Sequence, residues 1–272
     1  MLRIGSAVVL LTLILTILWL LPFWATLALV AVAAALAGGE LAGMAAAAGA
    51  AVPPLFVGTS AAVMALAFFV SAAEVTVGGG AATGVLAGVL LALGLASALV
   101  TLAIGPPGPA TLTRASVMTM APLYVGLPLG AIAWIQWTLG PAAISWLLAV
   151  VAVSDTAQYY TGRVFGRTKL APLVSPAKTR EGAVGGLVGA GVAGLLLARL
   201  WLPALSPALA AAVAVALAIV GIAGDLFESL LKRSVGVKDS SALIPGHGGV
   251  LDRIDSHLFA APVFYLIVRY LV

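Results

Sequence analysis

The chain has no cysteine and only two histidines, His247 and His257, in 272 residues. Disulfides, thiolate nucleophiles and cysteine-based zinc sites are therefore excluded. Charge is scarce as well, at 8% of residues, where an ordinary soluble domain carries about 25%. That shortage excludes a water-soluble globular domain. No G-x-x-x-x-G-K-[ST] loop is present, which argues against a P-loop ATPase, and no basic tail suggests a nucleic-acid partner.

What the chain does contain is apolar: 63% of its residues are hydrophobic and its mean hydropathy is +1.21. A run of about 20 apolar residues spans the hydrocarbon of a bilayer as a helix. Runs of that length follow one another here, and they lack the alternating polarity of a transmembrane barrel. The expected fold is all-α, a polytopic integral membrane protein with about nine transmembrane helices, at roughly 4–22, 24–48, 56–73, 82–104, 115–137, 141–161, 182–201, 207–232 and 256–271. The least regular region lies between Gly38 and Ala82, where Glu40, Pro53, Pro54 and Glu74 interrupt an Ala-rich background. The first run follows Arg3 and reads as a retained span, because a second long run follows at once. With the N-terminus inside, nearly all Lys and Arg fall on the cytoplasmic face, leaving Arg199 and Arg269 opposite.

Charge is uneven along the chain. Residues 1–154 hold only Arg3, Glu40, Glu74 and Arg114, and every other charged side chain lies beyond them. The expected organisation is a scaffold of transmembrane helices over 1–114 and a catalytic region over 115–272, with cytoplasmic loops at 161–182 and 232–256. Gly189, Gly191 and Gly194 spell G-x-G-x-x-G, but they lie inside an apolar helical run with no expected strand before them. Close helix packing is the better reading, as it is for the small-xxx-small spacings Gly185/Gly189 and Gly84/Gly88.

Three polar clusters stand out. Asp225, Glu228 and Lys232 follow an apolar run at spacings of three and four, so they share a helix face. Carboxylates one turn inside a membrane span are costly and usually line a polar cavity or bind a cation. The second cluster, "GHGGVLDRID", sets His247 and a glycine-rich turn before Asp252 and Asp255. Its glycines allow a positive φ or close approach of a ligand to the backbone. The third begins at Ser154 and Asp155 and continues through Arg163, Arg167, Lys169, Lys178 and Arg180. Carboxylates at 155, 225, 228, 252 and 255 suit a divalent cation, while the Lys and Arg side chains suit phosphate oxygens. Oxygen donors without cysteine or a histidine pair favour Mg²⁺ over zinc. Together these features suggest a phosphate-handling site at the cytoplasmic membrane surface.

The segment Ser229, Leu231, Lys232-Arg233, Lys238-Asp239, Ser241, Ile244-Pro245, His247-Gly248-Gly249-Val250 and Asp252-Arg253-Ile254-Asp255 resembles the signature of the phosphatidate cytidylyltransferases, or CDP-diacylglycerol synthases. Ser154-Asp155, Gly162-Arg163, Phe165-Gly166-Arg167, Lys169-Leu170, Ser175-Pro176, Lys178-Thr179, Glu181-Gly182 and Gly185-Gly186 resemble that family's other characteristic segment. The resemblance covers residues 154–272, and the first 150 residues match only in hydropathy and length.

The resemblance implies transfer of CMP from CTP to phosphatidic acid, giving CDP-diacylglycerol and pyrophosphate. It implies CTP, phosphatidic acid and membrane lipid as partners, with Mg²⁺ as cofactor and room for a second cation, monovalent or divalent. Asp225 and Asp252 are the expected principal metal ligands, with Glu228 and Asp255 as further ligands and Lys232 completing the catalytic set. Asp155, Arg167, Lys178, Arg180, Arg233, Lys238, Asp239, His247, Gly248, Gly249 and Arg253 are the expected substrate-binding residues. A bacterial inner membrane and a homodimer complete these expectations.

Overall fold

The computed structural model describes residues 2–78 and 82–271, without the side chains of residues 2–4, 82 and 83; the side chain of Arg3 thus lies outside the described residues. The chain is almost entirely helical: α1 (Leu2–Leu20), α2 (Phe23–Ala47), α3 (Pro54–Thr76), α4 (Ala82–Ile104), α5 (Thr111–Ala121), a π-helical turn at Pro122–Gly126, α6 (Leu127–Leu139), α7 (Pro141–Phe165), α8 (Arg180–Trp201), α9 (Pro207–Ser234) and α10 (Leu251–Tyr270). A small hairpin of β1 (Lys169–Ala171) and β2 (Ser175–Thr179), antiparallel, precedes α8.

Sequence fixes many of these boundaries. Pro54 and Pro141 stand at the first turns of α3 and α7, where a missing N–H costs nothing and a fixed φ suits the helix. Pro122 removes a backbone donor inside an otherwise continuous rod, and the chain widens there into the π turn between α5 and α6. The nine expected spans coincide with the helical stretches, α5 to α6 counting as one. Seven stretches among the described residues are long and apolar enough to cross a bilayer, whereas Gly5–Leu20 is a shorter apolar helix and α10 is not among the seven. The chain is thus an all-α polytopic membrane protein, and the expected count of nine crossings is met for seven.

The contacts gather the chain into two compact units. The first combines Met1–Trp134 with Ser234–Arg253, and the second combines Ile135–Arg233 with Ile254–Val272. Within a bilayer, helices gain little from hydrophobicity against each other, so close packing of small residues and interhelical hydrogen bonds hold them. In the first unit, a Cβ at Gly38 would press on the Val57 carbonyl of α3, and the Trp134 indole donates to Thr76 Oγ1 at 3.1 Å. In the second, Gly185 and Gly189 bring α8 against Thr161 and Ala157 of α7, and Gly194 packs against Ala214 of α9. The G-x-G-x-x-G run is therefore a packing surface, as expected. Gly84 and Gly88 differ, since among the described residues nothing beyond their own helix backbone and chain neighbours lies within 4 Å of where a Cβ would stand. Their spacing serves no close approach among the described residues.

Candidate active site

In the second unit, charged side chains from α7, β2, α9 and α10 come together. Asp225 and Glu228 lie on α9, one turn apart, where the helix face expected from their spacing carries them. Lys178, on β2, is ion-paired to Asp225 Oδ2, with side-chain exposures of 15% and 26%. The Ser229 hydroxyl stands 3.4 Å from the other Asp225 oxygen. Asp155 on α7 feels the charges of Asp225 and Lys178, and Asp255 on α10 feels those of Asp225, Asp155 and Lys232. Three helices and one hairpin therefore bring three carboxylates into mutual electrostatic range. Like charges so placed repel, and a cation relieves them.

Glu228 is wholly buried and ion-paired to the buried Lys232 on the following turn. These two members of the shared helix face thus pair with each other, withdrawn from water. Arg167, Arg180 and Arg233 are exposed.

The hairpin is positioned by contacts the sequence did not disclose. Glu181, in the first turn of α8, accepts from the backbone N–H groups of Arg167 at 3.0 Å and Thr168 at 3.1 Å. Thr179 caps α8 by accepting from the Gly182 N–H at 3.1 Å. These bonds satisfy amides that would otherwise be orphaned at a helix start and a strand edge. They also fix the strand from which Lys178 reaches Asp225.

The first unit holds the rest of the signature. The segment between α9 and α10, with Arg253 of α10, lines an open cavity of about 520 Å³ formed by Lys238, Asp239, Ser241, Ala242, Ile244, Gly246, His247, Gly248 and Arg253. Gly248 has φ +81° and closes a short bridge to Ile244. A Cβ there would stand 2.5 Å from Asp252 Oδ2, so glycine is required on both counts. Asp252 Oδ2 accepts from the N–H groups of Ser240 at 2.9 Å and Gly249 at 2.7 Å, and lies 2.8 Å from the Ser240 hydroxyl. That oxygen holds the turn together.

His247 is held from α1. The Ser6 hydroxyl lies 3.2 Å from the Pro245 carbonyl and 2.8 Å from His247 Nδ1. A hydroxyl has one proton: either it goes to Pro245 and Ser6 accepts from an Nδ1–H, or it goes to Nδ1 itself.

Glu40 on α2 interrupts the Ala-rich run of an expected scaffold helix. It is 7% exposed and binds the signature turn through the Ser241 hydroxyl, the Val250 and Leu251 N–H groups and a Ser240 hydroxyl shared with Asp252. A lone carboxylate inside an apolar helix was the available signal, since such residues seldom lack a role.

A divalent cation would find oxygen donors in the second unit, at Asp155, Asp225 and Asp255. Among the described residues, however, no three Asp, Glu or His side chains converge on one ligating point. One or two of these carboxylates would suit Mg²⁺, which commonly binds that few and completes its shell with phosphates and water.

With that geometry in place, comparison with known proteins defines the class. The family model for the cytidylyltransferase family matches residues 1–271. The chain belongs to the cytidylyltransferase family. It is 42% identical over 149 residues to the phosphatidate cytidylyltransferase of Helicobacter pylori strain ATCC 700392 / 26695, covering 55% of each chain. It is 38% identical over 161 residues to the phosphatidate cytidylyltransferase of Thermotoga maritima, covering 57% of this chain and 60% of that one. An Escherichia coli protein called uncharacterized protein YnbB is 45% identical over 131 residues, covering 48% of this chain and 44% of that one. The chain spans about half the length of the curated relatives it matches.

Proposed function

We propose that the protein is a phosphatidate cytidylyltransferase of a bacterial inner membrane, with its polar segments on the cytoplasmic face and Mg²⁺ as cofactor. The observation that carries this reading is the meeting of Lys178 with Asp225 beside Asp155 and Asp255, on residues that also carry the family resemblance. In the reaction, a phosphate oxygen of phosphatidic acid attacks the α-phosphorus of CTP. A new P–O bond forms as the bond to the bridging oxygen of the β-phosphate breaks, and pyrophosphate leaves.

The principal obstacle is repulsion between two anions, so electrostatics and positioning can supply most of the acceleration. Mg²⁺, when bound, would neutralise phosphate charge, with Asp225 and Asp255 as its ligands beside Asp155; Asp252 and Glu228 remain proposed on the strength of the signature. Lys178 is exchangeable between Asp225 and a nucleotide phosphate, since both are anionic acceptors for the same ammonium. Lys238 and Arg253 line a cavity with the charge and size for phosphate groups, and His247 contributes a hydrogen-bonding nitrogen there. No general base is needed, because a phosphomonoester is largely ionised at neutral pH.

The test is incubation of the purified protein with phosphatidic acid, Mg²⁺ and CTP labelled at either the α- or the γ-phosphorus, followed by lipid extraction. Label from the α-position should enter the lipid while pyrophosphate is released. Entry of γ-label would instead mark a CTP-dependent kinase, and no transfer of either label would remove the enzyme reading.

A further inference from the structure

We infer that Glu40 is a positioning residue that tethers the turn Ser240–Leu251, so that α2, from the half of the chain with almost no charge, sets the geometry of the cavity lined by His247, Lys238 and Arg253. The inference rests on the proposed cytidylyltransferase reading for its effect on turnover, but the tether itself stands on geometry. Glu40 Oε1 accepts from the Ser241 hydroxyl at 2.7 Å and the Val250 N–H at 2.9 Å. Its Oε2 accepts from the Leu251 N–H at 2.8 Å and lies 2.9 Å from the Ser240 hydroxyl. The two amides belong to the start of α10, whose unpaired N–H groups and positive dipole end favour a carboxylate.

The Ser240 hydroxyl is shared, standing also 2.8 Å from Asp252 Oδ2. Glu40 is thus one bond removed from an acidic residue of the signature. Gly249 completes the seat, since a Cβ there would overlap both Glu40 oxygens and the Ser240 hydroxyl. Three donors of its own and a share of the Ser240 hydroxyl satisfy a carboxylate that is 7% exposed on a membrane helix, whereas one without them would be prohibitively desolvated. A simple structural anchor would need only one end of the turn. Glu40 instead grips Ser240 and Ser241 on one side of His247 and Val250 and Leu251 on the other, so both ends of the cavity-lining turn are fixed together.

Because the chain has no cysteine, a single introduced cysteine gives a clean site for a nitroxide label. Ala242→Cys lies on the cavity wall, and Leu173→Cys, at 93% exposure on the hairpin turn, is the reference position. Glu40→Gln keeps the shape but offers these donors one acceptor oxygen and an NH₂ group in place of two acceptor oxygens. It should raise nitroxide mobility at 242 and leave 173 unchanged. In the chain without labels, it should lower kcat/KM for CTP by roughly tenfold or more, the scale on which small displacements of binding groups act. If Glu40→Gln does not give folded protein, Ser241→Ala removes one donor only and should raise mobility at 242 in the same way. Unchanged mobility at 242, or raised mobility with unchanged turnover, would overturn the inference. An unsubstituted chain that transfers no label from CTP would sink the enzymatic reading, while the nitroxide still decides the tether.

Discussion

Gly249 shows how a single position can be decided by the space around it. Its backbone is not in the left-handed region, so the demand for glycine comes from the carboxylate and hydroxyl pressed against it. Gly249→Ala should destabilise the fold by about 1–3 kcal/mol, seen as a lowered melting temperature in detergent, with a matching loss of CTP turnover. Asp225 makes a different prediction, because its carboxylate is partly exposed and, in the proposed reaction, its partner Lys178 would turn to a nucleotide phosphate. Asp225→Asn should leave the melting temperature nearly unchanged and reduce kcat on the order of 100-fold. A large loss of stability with kcat retained in the folded fraction would make Asp225 a structural partner of Lys178.

At the scale of elements, a hairpin stands inside the stretch 161–182, where the sequence predicts a cytoplasmic loop. Its strands are three and five residues long, and β2 contains a proline, so neither length nor alternation announces a strand. It forms because both its ends are fastened, by Glu181 to the Arg167 and Thr168 amides and by pairing of Lys169 with Thr179. Glu181→Ala should release those amides and raise KM for CTP roughly tenfold, measured by initial rates at saturating phosphatidic acid. If the hairpin served only to connect α7 and α8, KM would not move. The helices were far easier to read, since each is a long apolar run bounded by proline, glycine or charge, and the positions of all nine expected spans fall on helices.

At the scale of the molecule, orientation and metal dependence are the open consequences. Single cysteines at Leu173 and Ala204 flank α8, and an impermeant maleimide distinguishes the two sides of the membrane. In intact cells Ala204→Cys should react and Leu173→Cys should be protected; the reverse pattern would invert the proposed topology. Chelation with EDTA should abolish CTP turnover, and added Mg²⁺ should restore it. Full activity after exhaustive chelation would exclude the divalent cation from the reaction.

The sequence by itself determined the class of protein, because a membrane span is a local property: about 20 apolar residues suffice, whatever their neighbours. It also determined which segments carry charge and the helix face shared by Asp225, Glu228 and Lys232, since helical spacing follows from chain geometry alone. Tertiary structure decided what each charge meets. Lys178 finds Asp225 across 47 positions of sequence, and Glu40 finds Ser240 across 200. No spacing rule encodes such pairs, because they follow from how helices pack through small residues and from the high cost of leaving a buried carboxylate without donors.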